Sequence, residues 1–360
     1  MRIESFLAKC FLSIITIIVL FAVLEFISPY ILPFAPTKID SIWDSPMFRY
    51  PYPFIVFKGK AFARGLNEFG YSGKPAYVDK QPGTYRVFML GGSTVFNQIT
   101  EPLESLFKRN GFDNVEVYNY GVVSSVSGMA LARLVFEILD RSPDIVIMYN
   151  GGNDIMDGYM EQTRPGYPFN YVVYEHNPLL YHNLDKYNWL MLLLYRSNLF
   201  RYALRNRYVK LYLTPHTDDR APPWMSEEWK EAVAMNYVNN IIKAHKISAA
   251  FSSDMVTFLQ PLIYFKNELV GPETSIEPNT SEVRDYVYEM REKITSKANV
   301  AREIDGVNFV DLSNTFKANK DIIFKDFIHI EPEANLIIAR AIYDVIMPRV
   351  KASLIKQEEK

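Results

Sequence analysis

Short apolar runs alternate with helical segments along most of this chain, and that alternation restricts its fold more than any other feature. The apolar runs, each of strand length, lie at 85–90, 115–120, 144–149, 254–261 and 307–312. Segments with helical periodicity follow them, at 101–109, 129–140, 226–251, 281–304 and from Pro332 onward. Such alternation predicts a parallel sheet covered by helices on both faces. We therefore expect an α/β, three-layer flavodoxin-like sandwich whose five-stranded parallel sheet has the order 2-1-3-4-5.

The composition is that of a globular protein without a polyanionic partner. Of 360 residues, 49% are hydrophobic and 22% are charged, and the formal net charge is −2. That balance gives no electrostatic reason to expect nucleic-acid binding. Cys10 is the only cysteine, so an intrachain disulfide and a cysteine-based metal site are both excluded. The histidines show no ligand spacing, and we expect neither a metal nor another cofactor.

Residues 1–32 are predicted to be a single-pass signal anchor. An unbroken run of apolar or small residues extends from Cys10 to Leu24. With its flanks it is about long enough to cross the ~30 Å hydrocarbon layer of a membrane. Because Arg2 and Lys9 precede it, the positive-inside rule places the N-terminus in the cytoplasm. The rest of the chain would then be extracytoplasmic, in the periplasm or at the cell surface.

Three other readings of this segment stay open. A cleaved signal peptide needs small residues at a cleavage site after the apolar run, and 25–34 offer none of that kind. A lipoprotein cysteine would follow the apolar run, whereas Cys10 precedes it. A buried core helix is the third reading, because the strictly uninterrupted run is short.

The remaining sequence divides into a linker, a main domain and a tail. Residues 33–84 are rich in Pro, Gly and aromatic side chains and predict a linker followed by irregular packing. The main domain spans 85–350, with an insertion or lid at 155–225 after the third strand. The insertion is rich in Tyr, which suits a sugar-binding cleft, a hydrophobic core or a membrane-facing surface equally well. Its apolar run at 189–195 indicates a packed lid helix, and 351–360 a polar tail.

Polar residues follow the strands where a parallel sheet collects its functional groups. Sites form beyond the carboxyl ends of such strands, and these ends meet at one edge of the sheet. The residues at this edge, in chain order, are Gly92, Ser93 and Thr94, then Gly121, then Gly152, Asn153 and Asp154, and finally Asp326 and His329. Each group alone is an ordinary turn or helix cap. Together they supply a hydroxyl, an imidazole, a carboxylate and several hydrogen-bond donors.

That set matches the needs of nucleophilic catalysis at an ester. A serine hydroxyl becomes a good nucleophile only when a base accepts its proton, and His329 is suited to do this for Ser93. Asp326 would orient the imidazole and stabilise its charged form. The backbone N–H groups of Ser93 and Gly121 and the side-chain amide of Asn153 are candidate donors to the oxyanion of the tetrahedral intermediate.

These motifs, in this order, resemble those of the SGNH/GDSL hydrolase superfamily, and of its membrane-anchored members with Gly-Gly-Ser-Thr. Four sequence blocks carry the resemblance, which covers roughly 80–350: Gly-Gly-Ser93-Thr, Asn119-Tyr-Gly121, Gly-Gly-Asn153-Asp and Asp326-x-x-His329. Gly92 replaces the aspartate of the Gly-Asp-Ser form. The resemblance implies Ser93 as nucleophile, Asp326 and His329 as its partners, and Gly92, Thr94, Gly152 and Asp154 as the supporting site loops.

The function expected from the resemblance is that of an extracytoplasmic serine esterase. It would act through an acyl-serine intermediate on a small-molecule or polysaccharide ester, and a carbohydrate O-acetyl group is the preferred substrate. An O-acyltransferase acting on surface polysaccharide would use the same residues, so the sequence does not choose between water and a sugar as acceptor. A non-catalytic polysaccharide-binding or assembly factor with this fold is a further alternative, and a lipase is a third.

Overall fold

A computed structural model of the chain describes residues 2–31, 50–63, 65–96, 99–168, 171, 197–203, 221–276 and 278–358. It divides into two compact units. The first unit comprises Met1–Asp44 and Asn170–His216, and the second comprises Ser45–Phe169 and Thr217–Lys360. The predicted lid helix at 189–195 lies outside the described residues.

The strands of the described residues belong to a small hairpin and a larger sheet. They are β1 (Tyr50–Tyr52), β2 (Val56–Lys58), β3 (Tyr85–Gly91), β4 (Val115–Gly121), β5 (Ile145–Asn150), β6 (Asp254–Leu259) and β7 (Phe309–Asp311). β1 and β2 pair antiparallel. The other five strands form one parallel sheet in the order β4-β3-β5-β6-β7. This is the predicted order 2-1-3-4-5, which the structure confirms.

The helices of the second unit flank its sheet in two groups, and two of the described helices belong to the first unit. In chain order, the helices of the described residues are α1 (Arg2–Ile31), α2 (Ser93–Phe96), α3 (Thr100–Arg109), α4 (Ser127–Arg133), α5 (Gly152–Glu161), α6 (Asn198–Ala203), α7 (Glu227–Ala250), α8 (Ser281–Asp305) and α9 (Pro332–Glu358). α1 and α6 are those of the first unit. α3 packs against β4 and α9, where the rings of Phe107 and Tyr343 meet edge to face at 4.8 Å. α7 packs against α4, α8 and β6.

The centre of the sheet is buried on both faces, as its sequence predicts. Every residue of β3 and of β5 is buried. Apolar and β-branched side chains such as those at 145–148 suit this environment, because helices cover a parallel sheet on both sides. The register aligns Gly91 with Gly121 and with Tyr149, so the carboxyl ends of β3, β4 and β5 meet at one edge.

One predicted helix has a different geometry. The apolar periodicity predicts an uninterrupted helix at 129–140, but α4 ends at Arg133. A π-helical turn follows at Leu134–Ile138 and a 3₁₀ turn at Leu139–Arg141. The wider π-helical turn accompanies two charged side chains, Arg133 and Glu137, that are both buried behind the sheet edge.

The described residues add secondary structure to three segments of the predicted organisation. The segment 33–84 contains the hairpin of β1 and β2. α5 continues to Glu161, beyond the predicted start of the insertion at 155, and belongs to the second unit. α9 continues to Glu358, so most of the predicted polar tail at 351–360 is helical. The tail sequence contains good helix formers and no glycine or proline, which explains the continuation.

α1 has the length and composition of a membrane-spanning helix. The candidate span is Ala8–Ser28, with a mean hydropathy of 2.8, and it is not buried within the protein. A buried core helix would be covered by its neighbours, so that reading of the sequence loses its support. A signal sequence has the same length and composition, and this property alone does not separate it from an anchor.

Candidate active site

Ser93 lies at the carboxyl edge of the sheet because β3 ends two residues before it. It is the first residue of α2, and the Gly92 carbonyl accepts the N–H groups of Val95 and Phe96. This tight strand-to-helix turn presents the Ser93 hydroxyl at the edge where the other strands also end. Only 6% of the Ser93 surface is exposed.

Ser93, His329 and Asp326 form one continuous chain of hydrogen bonds. The Ser93 Oγ lies 2.6 Å from His329 Nε2, and His329 Nδ1 lies 2.6 Å from Asp326 Oδ2. The imidazole can thus accept the serine proton on one nitrogen while the carboxylate holds its other nitrogen in the matching tautomer. The structure brings together the three residues that the sequence proposed for this role.

A local turn explains how three-residue spacing lets Asp326 reach His329. Asp326 Oδ1 accepts the backbone N–H groups of Ile328 at 2.9 Å and of His329 at 2.7 Å. This is the side-chain-to-backbone pattern of an Asx turn. One carboxylate oxygen therefore shapes the turn, and the other is left to orient the imidazole.

The electrostatics of this turn keep Asp326 ionised. Partial burial raises the pKa of its carboxyl, but hydrogen bonds from the His329 ring and from the N–H groups of His329 and Ile328 outweigh burial. The pKa of Asp326 therefore lies below its ordinary value. An ionised carboxylate at neutral pH is the state that can stabilise a positively charged imidazole.

Asn153 is placed next to the nucleophile turn. It lies in the first turn of α5, and its side-chain Nδ2 donates to the Ser125 carbonyl at 3.0 Å. A Cβ atom added to Gly92 would lie 2.8 Å from that Nδ2. The amide has a second hydrogen, so Asn153 can hold the Ser125 carbonyl and still donate to an oxyanion.

Gly121 is not brought to the site as a donor, which corrects the sequence prediction. Its N–H donates to the side-chain Oδ1 of Asn119 at 2.9 Å. A Cβ atom at Gly121 would lie 2.3 Å from the backbone nitrogen of Phe96. Glycine is needed there because α2 packs closely against the end of β4. The chain then continues into the loop 122–126, where Ser124 has a left-handed φ of 58°.

Two of the predicted supporting residues, Gly152 and Asp154, hold the loops in place. A Cβ atom at Gly152 would lie 2.7 Å from Ile328 Cδ1, so glycine lets α5 approach the turn that carries His329. Thr94 is buried, and its hydroxyl makes no hydrogen bond with the described residues. Asp154 accepts the backbone N–H of Ser127, the first residue of α4, at 3.0 and 3.1 Å. Its contacts are therefore structural.

Asp154 should make stability depend on pH. Burial raises the pKa of its carboxyl to about 6, although hydrogen bonds from Ser127 oppose the shift. The folded state thus binds the proton more tightly than the unfolded state. That contribution is complete below the ordinary pKa of 3.8 and is lost as the pH rises through about 6.

The variant Asp154→Asn tests this dependence, because it keeps an acceptor oxygen for Ser127 and removes the titration. The free energy of unfolding of the variant minus that of wild type is expected to be higher at pH 7 than at pH 4 by roughly 2–3 kcal/mol, because only wild type loses stability as the pH rises. Urea unfolding of both proteins at the two pH values measures the difference. Equal pH dependence in the two proteins would contradict the assignment.

Sequence reasoning missed two residues behind the site, Ser125 and Arg133. The Ser125 carbonyl accepts the Asn153 amide, and Arg133 donates to the Ser125 hydroxyl at 2.9 Å and to the Gly91 carbonyl at 3.0 Å. One signal was present for Arg133, which is a charged residue set among the apolar positions of a predicted core helix. No comparable signal marked Ser125.

Of the other histidines, only His245 lies among the described residues, and it does not join this site. His245 is buried on α7, where its Nε2 lies 3.2 Å from the Thr257 hydroxyl, and burial lowers its pKa to about 4. His176, His182 and His216 lie outside the described residues. In the described part of the chain, no group of three or more His, Cys, Asp or Glu side chains is arranged to hold a metal ion.

Comparison with known proteins finds likeness in fold. No protein-family model and no curated protein matches the sequence. Solved structures of acetyl xylan esterases and GDSL-like lipases do match. A crystal structure of an acetyl xylan esterase has 11% identity and a TM-score of 0.42, with 72% of this chain and 99% of that chain covered.

Two further structures match to a similar extent. A GDSL-like lipase from Bacteroides thetaiotaomicron has 14% identity and a TM-score of 0.41, covering 73% of this chain and 88% of its own. A catalytic mutant of an acetylxylan esterase from Geobacillus stearothermophilus has 11% identity and a TM-score of 0.42, covering 72% and 93%. At these values the likeness says nothing about the substrate of this chain.

Proposed function

We propose that this protein is a serine esterase that acts through an acyl-Ser93 intermediate. The observation that carries the proposal is the hydrogen-bonded chain from Ser93 Oγ to His329 Nε2 and from His329 Nδ1 to Asp326, with both distances at 2.6 Å. A serine at the end of a strand has no need of this arrangement for folding. It is the arrangement that activates a hydroxyl for attack on a carbonyl.

In the first half of the reaction, the Ser93 oxygen attacks the ester carbonyl while His329 accepts its proton. The carbonyl oxygen becomes an oxyanion, which the Ser93 N–H and the Asn153 amide stabilise as hydrogen-bond donors. When the tetrahedral intermediate collapses, the bond to the alcohol oxygen breaks, and His329 returns the proton to that oxygen. The acyl group then remains on Ser93.

In the second half, an acceptor hydroxyl attacks the acyl-serine. His329 takes the acceptor proton and then gives it to the Ser93 oxygen as the acyl bond breaks. Water as acceptor gives a free acid, and a sugar hydroxyl gives a new ester. The same three residues serve both outcomes, so hydrolysis and acyl transfer differ only in which acceptor reaches the site.

A carbohydrate O-acetyl ester is the substrate that we propose. The resemblance of the four sequence blocks to SGNH/GDSL hydrolases agrees with O-acyl chemistry. A carbohydrate acceptor or donor agrees with the proposed placement of the domain outside the membrane.

Acetate release from acetylated xylan and from p-nitrophenyl acetate tests this function in the full chain in detergent. We expect release that disappears in Ser93→Ala. If added xylo-oligosaccharide gains acetyl groups while acetate release falls, the protein is an acyltransferase. If neither product depends on Ser93, the proposed function is wrong and a non-catalytic role is favoured.

We also propose that α1 is retained as a membrane anchor, with the catalytic domain outside the cytoplasm. Support comes from Glu25, near the outer end of the apolar span. Its carboxylate accepts the Ser197 hydroxyl at 2.7 Å, the Leu199 N–H at 3.1 Å and the Asn198 N–H. These contacts lie within the first unit. They join α1 to residues 197–199, which a cleaved protein would keep. Removing α1 would therefore leave the first residues of α6 without this carboxylate.

The intact mass of the membrane-bound protein checks retention. We expect the mass of the chain with residues 1–32 present, because the Glu25 contacts give the helix a role in the folded protein. A mature N-terminus between residues 25 and 50 would contradict the proposal. A Glu25→Gln variant keeps the length and hydrophobic span, and so separates loss of the carboxylate from loss of the anchor.

A further inference from the structure

A buried arginine stands directly behind the nucleophile turn. Arg133, the last residue of α4, is fully buried, and burial lowers the pKa of its guanidinium. Its Nη2 atom donates both to the Gly91 carbonyl and to the Ser125 hydroxyl. Its Nε and Nη1 atoms meet no hydrogen-bond partner among the described residues. An isolated buried charge is costly, so its presence needs a reason.

The neighbouring charges do not supply that reason by pairing. Glu137, one turn further along the chain, forms a buried ion pair with Lys58 and accepts the Tyr71 hydroxyl. The Glu137 carboxylate thus binds Lys58 and Tyr71, whereas the Arg133 guanidinium donates to Gly91 and Ser125. The Tyr71 hydroxyl beside Glu137 has a pKa raised by burial and stays uncharged. Arg133 retains its positive charge close to the turn that carries the nucleophile.

One acceptor of Arg133 lies two residues before Ser93, and the other lies in the loop that binds the Asn153 amide. Gly91 ends β3, and its carbonyl also accepts the Val122 N–H at 3.1 Å. Ser125 belongs to the loop after β4, and its carbonyl accepts the Asn153 amide. One guanidinium nitrogen therefore links the turn before Ser93 to the loop that fixes Asn153.

We propose that Arg133 is a positioning residue that sets the distance between the Ser93 N–H and the Asn153 amide through its hydrogen bonds to Gly91 and Ser125. Oxyanion stabilisation depends on donors held in place before the reaction, and a misplacement of about 1 Å can lower the rate about 100-fold. The role rests on the proposed function. It assigns to Arg133 no contact with the substrate.

The charge-retaining variant Arg133→Lys tests this role, because an ammonium group cannot reproduce the guanidinium geometry. We expect kcat for p-nitrophenyl acetate to fall about 10- to 100-fold with little change in KM. Arg86→Lys is the matched control. Arg86 is 3% exposed, and its guanidinium also donates to backbone carbonyls, those of Tyr77, Asp79 and Arg141, away from Ser93. The kcat of Arg86→Lys, expressed per active site that a fluorophosphonate probe labels, should equal that of wild type.

Coupling to Asn153 separates positioning from a general structural role. In the wild-type background, Asn153→Ala should lower kcat about 10²- to 10³-fold. In the Arg133→Lys background the same change should cost less than about tenfold, since the donor is already misplaced. In the Arg86→Lys background it should keep its full cost. Ser125→Ala removes one acceptor of Arg133 without removing the charge, and repeats the test should Arg133→Lys fail to fold.

Each outcome has one meaning. An Asn153→Ala effect of equal size in the wild-type and Arg133→Lys backgrounds overturns the positioning role while the proposed function stands. A kcat of Arg133→Lys within about threefold of wild type does the same. Wild-type turnover that does not depend on Ser93 overturns the proposed function, and the role of Arg133 with it.

Discussion

Ser93→Ala is expected to lower kcat for p-nitrophenyl acetate by about 10⁶-fold, because it removes the atom that forms the acyl intermediate. The change leaves the turn between β3 and α2 intact, since its backbone hydrogen bonds come from Gly92 rather than from the serine hydroxyl. KM and the unfolding temperature should therefore change little. Residual turnover would come from the donors that remain. Steady-state hydrolysis and thermal unfolding of the full chain measure both properties.

The partner variant and the control sharpen this result. His329→Ala should cost about as much as Ser93→Ala, and the double variant should cost no more than either, because the two residues act as one unit. Ser248→Ala is the control, since Ser248 is a fully buried serine on α7 whose hydroxyl contacts Met255. Losses that multiply in the double variant would argue against a shared step.

Asp326→Asn is expected to lower kcat by about 10⁴-fold with little change in KM. Asparagine can still accept the N–H groups of Ile328 and His329, so the turn should persist. Its amide would, however, favour the imidazole tautomer whose Nε2 carries hydrogen when Nδ1 accepts. His329 could then no longer accept the Ser93 proton. Stopped assays at high enzyme concentration reach the required sensitivity.

Asp326→Ala provides the comparison for that experiment. It removes the tautomer control and also both backbone hydrogen bonds of the turn, so we expect greater loss of stability than in Asp326→Asn. Asp321 is an exposed carboxylate in the same segment, and the control variant Asp321→Asn should retain the wild-type kcat. Activity of Asp326→Asn within about tenfold of wild type would contradict the role of the carboxylate in orienting His329.

The architecture and the approximate location of the site follow from the sequence through one physical rule. Parallel strands expose their carboxyl ends at one edge, so residues directly after β3 and β5 must lie near one another. This rule alone was enough to predict that Ser93 and Asn153 lie at the same edge of the sheet. The Asp326–His329 contact also needed the turn geometry, in which one carboxylate oxygen binds backbone N–H groups while the other binds the ring.

The sequence could not reveal how individual backbone groups are used. Gly121 follows a strand and is a glycine, and both properties suit an oxyanion donor, yet the Asn119 side chain engages its N–H. Arg133 was hidden for a different reason. Helical periodicity assumes 3.6 residues per turn, and the π-helical turn after α4 breaks that spacing at the point where Arg133 and Glu137 are both buried.

Covalent labelling of Ser93 tests the central proposal most directly. The folded full chain is treated with a fluorophosphonate probe, and the modified peptide is identified by mass spectrometry. We expect one adduct, on the peptide that contains Ser93, that is absent in Ser93→Ala and forms much more slowly in His329→Ala. Folded wild-type protein that stays unlabelled, or an adduct on another serine, would contradict the assignment of Ser93 as the nucleophile.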